Sequence, residues 1–195
     1  MKTRRIPALL LPALALLAGC LGAPTPSPTL HSLAPLALSA PLPAPAPDAT
    51  PLYLLPVEIP RHLDRPQIAV VSPDDPDILL PLDRDRWTAP LADAIADTLW
   101  PALAAALPGY AVQPLPTRTP PTHAATLRIA ILRFEGPLAG PVTLLADCTL
   151  APRDGKPIHW LAHLSATPGE ASLPAYVRTL RGLVGELPGT IPKEP

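Results

Sequence analysis

The chain has 195 residues, a length that accommodates one ordinary domain together with a leader and a linker. It contains 33 prolines and a single phenylalanine, and its formal net charge is -1 at pH 7. Nucleic-acid binding normally requires a basic face, so we do not expect this chain to bind DNA or RNA.

The N-terminus has the pattern of a bacterial secretion signal that ends at a cysteine. Three basic residues precede an apolar run, Ile6 to Ala18, which has the length of a signal core and is too short to span a bilayer. The sequence Leu-Ala-Gly-Cys at 17–20 resembles the lipobox of bacterial lipoproteins. We therefore predict a signal peptide over residues 1–19, cleavage between Gly19 and Cys20, and diacylglycerol and palmitate on Cys20. The alternative is an ordinary secretory signal with a chance cysteine.

The residue after the lipidated cysteine bears on localisation. It is Leu21 and not Asp, and the usual sorting rule of Gram-negative bacteria then directs a lipoprotein to the outer membrane. Several acyl chains on one cysteine would hold the protein there stably, facing the periplasm.

Residues 20–51 are predicted to be a disordered, Pro-rich linker. Alternation of Ala and Pro at 41–47 favours extended polyproline II structure. At roughly 3.1 Å per residue, such a tether would reach on the order of 90 Å. Contact between its leucines and a partner is left open.

The folded domain is predicted over residues 52–190. Short apolar or alternating segments predict its strands, and these are Leu52 to Val57, Gln67 to Val71, Ile78 to Pro81, Tyr110 to Leu115, Thr126 to Phe134, Pro141 to Leu150 and Ile158 to Ser165. Pro56 favours an edge or bulge position for the first of them.

Two helices complete the domain. Leucine or isoleucine recurs every four residues from Leu91 to Leu107, which predicts a helix with one apolar face. Thr88 is its expected N-cap, and Pro101 is expected to bend or split it. The second helix is predicted at Leu173 to Leu187. This set of elements predicts an α/β or α+β sandwich with a mixed sheet.

A stretch after the first strand is similar to a known family. The sequence Ile-Pro-Arg-His-Leu-Asp-Arg-Pro-Gln-Ile at 59–68 and the Arg-Trp pair at 86–87 before the long helix resemble the ABC-type transport auxiliary lipoproteins, the PqiC-like family. The resemblance covers roughly residues 52–187 and implies a three-layer α/β/α-type sandwich like the N-terminal domain of TolB. Pro101 and the Asp-Cys pair at 147–148 depart from the family pattern. These departures affect the expected local packing and not the resemblance itself.

The resemblance also implies a function. It points to a non-enzymatic, lipid-anchored subunit of an MCE/Pqi-type intermembrane lipid transport system, which docks the assembly at the outer membrane and supports membrane integrity. Its expected partner is an MCE-domain protein, and a homo-oligomer is left open. The alternative is a stand-alone lipid- or ligand-binding lipoprotein, which requires a cavity for acyl chains. One Phe and one Met offer little adaptable lining for such a cavity, which favours docking.

Four residues are candidates for partner binding, namely Asp64, Arg65, Gln67 and Trp87. The first three would form a partner-facing edge. The competing interpretation is structural: Arg65 pairs with Asp64 or with a helix cap, and Trp87 packs the start of the helix against the sheet.

No catalytic or metal-binding pattern is present in the sequence. It contains no GxSxG, Walker A, GxGxxG or CxxC motif. His159 and His163 share a strand face but have no third ligand, and the acidic turn at 74–77 lacks the Gly and Glu of a calcium loop. We predict no enzymatic activity, no metal and no cofactor. With Cys20 lipidated, Cys148 is unpaired in an apolar run and is predicted to be a buried small hydrophobe.

Overall fold

A computed structural model of the chain describes residues 27–34, 44–115, 119–122 and 124–192. The predicted signal peptide, the cleavage site at Gly19 and the proposed lipidation site at Cys20 lie outside these residues, as does the middle of the predicted linker.

Eight strands and two helices make up the described fold. The strands are β1 (Thr29–His31), β2 (Thr50–Leu54), β3 (Gln67–Val71), β4 (Leu79–Trp87), β5 (Tyr110–Pro114), β6 (Ala125–Glu135), β7 (Val142–Ala151) and β8 (Ile158–Ala166). The helices are α1 (Leu91–Ala106) and α2 (Leu173–Glu186), followed by a 3-10 helix (Leu187–Thr190).

The larger sheet is mixed and has the order β5-β2-β6-β7-β8. β5, β2 and β6 run parallel, whereas β6, β7 and β8 pair antiparallel. Every second residue of β7 is buried, from Val142 to Leu150, so the sheet has one core face. Both helices contact this sheet and each other, and they therefore form one layer on that face. The predicted α/β class and mixed sheet are confirmed.

The smaller sheet is also mixed and has the order β1-β4-β3. β1 pairs parallel to the end of β4, and β3 pairs antiparallel to β4. It joins the larger sheet where the amide of Val71, at the end of β3, donates to the carbonyl of Gly136 at 3.0 Å. The two sheets thus meet at the carboxyl end of β6.

Residues 27–34, which we call the N-terminal segment, belong to this fold. Its strand β1 is hydrogen-bonded to β4, and Leu33 is 0% exposed in the core. The Arg181 side chain of α2 donates from Nε to the carbonyl of Leu33 at 2.7 Å and from Nη2 to that of Ser32 at 2.9 Å. The prediction of a disordered linker is therefore wrong for these residues, because tertiary partners distant in sequence fix them.

A split of the long helix at Pro101, an edge position for the first strand and an N-cap at Thr88 are three expectations that the structure contradicts. α1 continues through Pro101, and Thr88 does not cap it, since Pro90 is the N-cap residue and no side chain caps the helix. Leu99 and Leu103, on either side of the proline, are buried and hold the helix together. Pro56 does not make β2 an edge strand, because β2 ends at residue 54 and lies between β5 and β6.

Candidate functional site

A groove lies where the loop before β3, the β3–β4 turn and the end of β6 meet. Its volume is about 410 Å³. We call it the Arg65 groove, and its lining residues are His62, Arg65, Val71, Pro76, Asp77, Ile78, Leu79, Arg133 and Glu135. It therefore combines an apolar side with basic and acidic groups.

Arg65 is the least satisfied polar group of this groove. The residue is half-buried, and its Nε is buried without a hydrogen-bond partner among the described residues. Neither an ion pair with Asp64 nor a contact with a helix cap is present in that part of the chain. A buried donor without an acceptor costs about 1–3 kcal/mol in desolvation. Arg65 therefore lines the groove with one buried donor that no described residue accepts from.

Arg133 reaches the groove because β6 carries a bulge. The register of β6 against β7 shifts between Ile131 and Arg133, and the neighbouring Leu132 is 45% exposed. A bulge turns the following side chains to the other face of a sheet. The sequence contained a signal for this, since strict alternation after Leu127 would have pointed Arg133 into the core.

The buried carboxylate of Glu135 holds Arg133 in place. Glu135 is 7% exposed, and its Oε1 accepts from Arg133 Nε at 3.0 Å. Its Oε2 accepts from the amide of Phe134 at 2.8 Å. Since this carboxylate has its partners, it does not neutralise Arg65. Asp77 is the other acid of the groove, and it lies in the exposed turn.

The other predicted partner-binding residues lie near the groove without lining it. Asp64 is exposed in the turn before β3, and Gln67 is half-buried and paired with Arg86 of β4. Trp87 is 8% exposed, and its amide donates to the carbonyl of Pro66 at 2.8 Å. Trp87 is therefore a core residue, and it is not part of the docking surface proposed below.

An arginine above an apolar wall can bind a carboxylate. The guanidinium stays charged at any physiological pH and offers a planar fork that matches two carboxylate oxygens. The exposed side chain of Ile78, 46% accessible, adds an apolar contact beside it. This arrangement suits an acidic segment with an apolar side chain and has no nucleophile paired with a base.

The two histidines considered as metal ligands are exposed residues of β8. His159 Nδ1 lies 2.9 Å from the hydroxyl of Thr149 on β7. Across the described ranges, no group of three or more His, Cys, Asp or Glu residues is placed to hold a metal ion. In the acidic turn, the carboxylate of Asp75 accepts from the amide of Asp77 at 2.9 Å, as in an ordinary Asx turn.

Cys148 is buried in the core face of β7, at 0% exposure. Burial, and secondarily the adjacent carboxylate of Asp147, raises the pKa of the Cys148 thiol to about 12. A thiol in this state is unreactive at neutral pH. The predicted role as a small hydrophobe is confirmed.

An open cleft lies at the other end of the larger sheet, with a volume of about 1280 Å³. It is formed by the end of α1, the β7–β8 turn and the C-terminal 3-10 helix. Its larger apolar lining residues are Leu107, Tyr110, Leu150, Ile158 and Ile191. Each of these is buried or half-buried, so the cleft is a surface depression over a packed core. No helix in the described ranges is both long enough and apolar enough to cross a membrane.

Comparison with known proteins identifies a family and two solved structures that resemble this chain. A family model described as the ABC-type transport auxiliary lipoprotein component matches residues 33–191. No curated protein matches the chain. A crystal structure of an uncharacterised protein is similar at 19% identity, with a TM-score of 0.68 over 85% of this chain and 97% of the other. Protein XCC0632 from Xanthomonas campestris, of the family DUF330, is similar at 18% identity, with a TM-score of 0.57 over 83% of this chain and 88% of its own.

Proposed function

The chain belongs to the family of ABC-type transport auxiliary lipoprotein components, and we propose that it is the lipid-anchored, non-enzymatic subunit of an MCE/Pqi-type lipid transport system at the outer membrane. The family makes it a transport-associated lipoprotein. The partner, the outer membrane and the supporting role in membrane integrity are our inference. The observation that carries the docking role is the Arg65 groove, in which the buried Nε of a half-buried arginine lacks an acceptor within the described residues.

The anchor proposed is lipid on Cys20. The sequence at 17–20 supports it, because small residues before the cysteine allow the extended chain to enter the processing protease. Cys20→Ala is expected to leave uncleaved precursor and to abolish incorporation of labelled palmitate in growing cells. Normal labelling of this variant would show that the anchor lies elsewhere.

The docking surface proposed is the Arg65 groove together with Asp64 and Gln67 beside it. An MCE-domain protein would place a carboxylate on Arg65 and an apolar side chain against Ile78. This contact pairs the guanidinium with an opposite charge and covers apolar surface at the same time.

Charge reversal tests the docking surface. Arg65→Glu is expected to reduce recovery of an MCE-domain protein in pull-downs from cross-linked envelopes by about tenfold or more, since a repulsive pair replaces an attractive one. Arg153→Glu is the matched control, because the Arg153 side chain is 63% exposed in the β7–β8 turn. Repeated absence of any MCE-domain protein with the unaltered, lipidated chain would contradict docking.

Stand-alone binding of a lipid is the second candidate function. The cleft at the β7–β8 turn favours it, because its volume exceeds the few hundred Å³ of an ordinary ligand pocket. Its shallow form argues against it, since a carrier encloses most of its ligand. One-to-one binding of a fatty acid probe, with no MCE-domain protein in the pull-downs, would favour this candidate.

A further inference from the structure

The N-terminal segment fixes where the chain leaves the folded domain. β1 begins at Thr29, opposite Asp85 of β4. Beyond the strand ladder, His31 Nε2 lies 2.8 Å from the Asp85 carboxylate, and the amide of Thr88 donates to the His31 carbonyl at 3.0 Å. With the two bonds from Arg181 described above, the segment is held on both its strand edge and its carbonyl groups.

This attachment shortens the free tether. Only residues 21–28 separate Cys20 from the first residue of β1. Eight residues at roughly 3.1 Å each span about 25 Å, against about 90 Å for the linker predicted from sequence. If Cys20 is lipidated, as proposed above, the exit point of the chain stays within about 25 Å of the bilayer.

The surface at this exit point is apolar and basic. Leu30 is 60% exposed and lies opposite Arg86 of β4 in the strand register. Arg84 is also exposed and precedes Arg86 by two residues on β4, in a part of the strand where the pairing with β3 is irregular. Neither arginine makes an ion pair within the described part of the chain. Among the nearby acids, Asp85 is bound to His31, and Asp83 is exposed.

We infer that this surface, which we call the β1–β4 face and define by Leu30, Arg84 and Arg86, rests on the anionic headgroups of the membrane that holds the lipid anchor. Arginines next to a membrane bind lipid phosphates, and an exposed leucine enters the interface between headgroups and acyl chains. Each contact is weak by itself. The short tether makes them effective because it holds the face at a high local concentration next to the bilayer.

The orientation has a consequence for the proposed docking role. β4 carries the face near its carboxyl end, where Arg86 pairs with Gln67 beside the loop that carries Arg65, and the groove extends from that loop to the β3–β4 turn and the end of β6. A domain that is oriented on the membrane presents the groove in a fixed direction, whereas a domain on a long tether presents it in every direction. The proposal therefore deepens the proposed function and rests on its lipid anchor.

Depth-dependent fluorescence quenching tests the orientation. The full-length lipidated chain carries a single fluorophore at Leu30→Cys and is placed in phosphatidylethanolamine–phosphatidylglycerol vesicles that contain a headgroup nitroxide lipid. Asp154→Cys is the control position, because its side chain is 93% exposed in the β7–β8 turn. Labelling is confined to the new cysteine, since lipid blocks Cys20 and burial protects Cys148.

We expect several-fold stronger quenching at position 30 than at position 154. The double variant Arg84→Glu, Arg86→Glu should lower quenching at position 30 to the control level, whereas Arg153→Glu should leave it unchanged. Equal quenching at the two positions, or no effect of the double variant, overturns the inference.

Flotation of the same samples separates this failure from failure of the anchor. Chains that float with the vesicles but are quenched equally at both positions are anchored without being oriented, which leaves the proposed function standing. Chains that do not float lack the anchor, and both proposals then fall.

Discussion

Leu33 provides the sharpest test of the N-terminal segment at the scale of one residue. It is 0% exposed, so Leu33→Ala is expected to lower the free energy of unfolding by about 2–4 kcal/mol through lost burial and a residual cavity. The measurement is chemical denaturation of the isolated domain from residue 21 onward. Leu30→Ala is the matched control, and its effect should stay within about 0.5 kcal/mol because the side chain is 60% exposed.

An unchanged stability of the Leu33 variant would mean that the segment is a free tether after all. The reach of about 90 Å would then apply, and the orientation of the domain on the membrane would lose its basis.

Single residues differ in how far sequence reveals their environment. Burial of Cys148 was predictable because apolar residues surround it in a strand of alternating pattern. The unsatisfied Nε of Arg65 was not, because the sequence offers Asp64 as a neighbouring partner, and only the tertiary structure shows that this Nε has no acceptor among the described residues. The contribution of Arg133 to the groove depends on a bulge, which is defined only by the pairing of β6 with β7.

Among the elements, α1 allows a test of proline inside a helix. Pro101 removes one backbone donor and leaves the carbonyl of Asp97 without its usual partner, although Asp97 is exposed and water can replace that bond. Pro101→Ala restores the bond and is expected to raise the free energy of unfolding by about 1–3 kcal/mol. The midpoint of urea denaturation, at unchanged slope, measures this gain.

The opposite sign would support a split helix. Proline is favourable in the first turn of a helix, where its missing donor has no partner to lose. If a second helix began at Trp100, replacement of the proline by alanine would then be neutral or destabilising.

Most elements were predictable from local pattern. β3 begins and ends where the sequence indicated, and β6, β7, β8 and α2 agree within one or two residues. The Asp-Gly turn between β7 and β8 follows from its glycine, which has a φ of +140° that other residues rarely adopt. β1 could not be predicted, because three residues inside a Pro-rich stretch have no period of their own. Their strand exists through pairing with β4.

At the scale of the whole molecule, composition and motifs predicted the family. They did not predict the arrangement of side chains on the surface. The motif at 59–68 lies within residues 33–191, which the family model matches, and the lipobox-like start lies outside that match. High proline content favours disorder and predicts a folded part that begins at residue 52, whereas β1 lies at Thr29–His31 and β2 begins at Thr50. A Pro-rich segment can still pack against the folded domain when the core buries one of its side chains and a donor binds one of its carbonyl groups. Burial of Leu33 and the hydrogen bond from Arg181 are such contacts.

The hydrogen bonds from Arg181 reach residues that lie 148 and 149 positions earlier in the sequence. The order in which the chain is synthesised therefore determines when these bonds can form. If the chain is secreted as its N-terminus predicts, the amino end emerges first, and the proposed processing site leaves the cell interior before α2. Until α2 arrives, β1 lacks its second support, and long-range contacts of this kind form late in folding. If Cys20 is the lipidated residue, as proposed above, the contacts between the N-terminal segment and α2 form after Cys20 has been modified. On that proposal, closure of the domain comes last and shortens the distance between the lipid anchor and the folded domain.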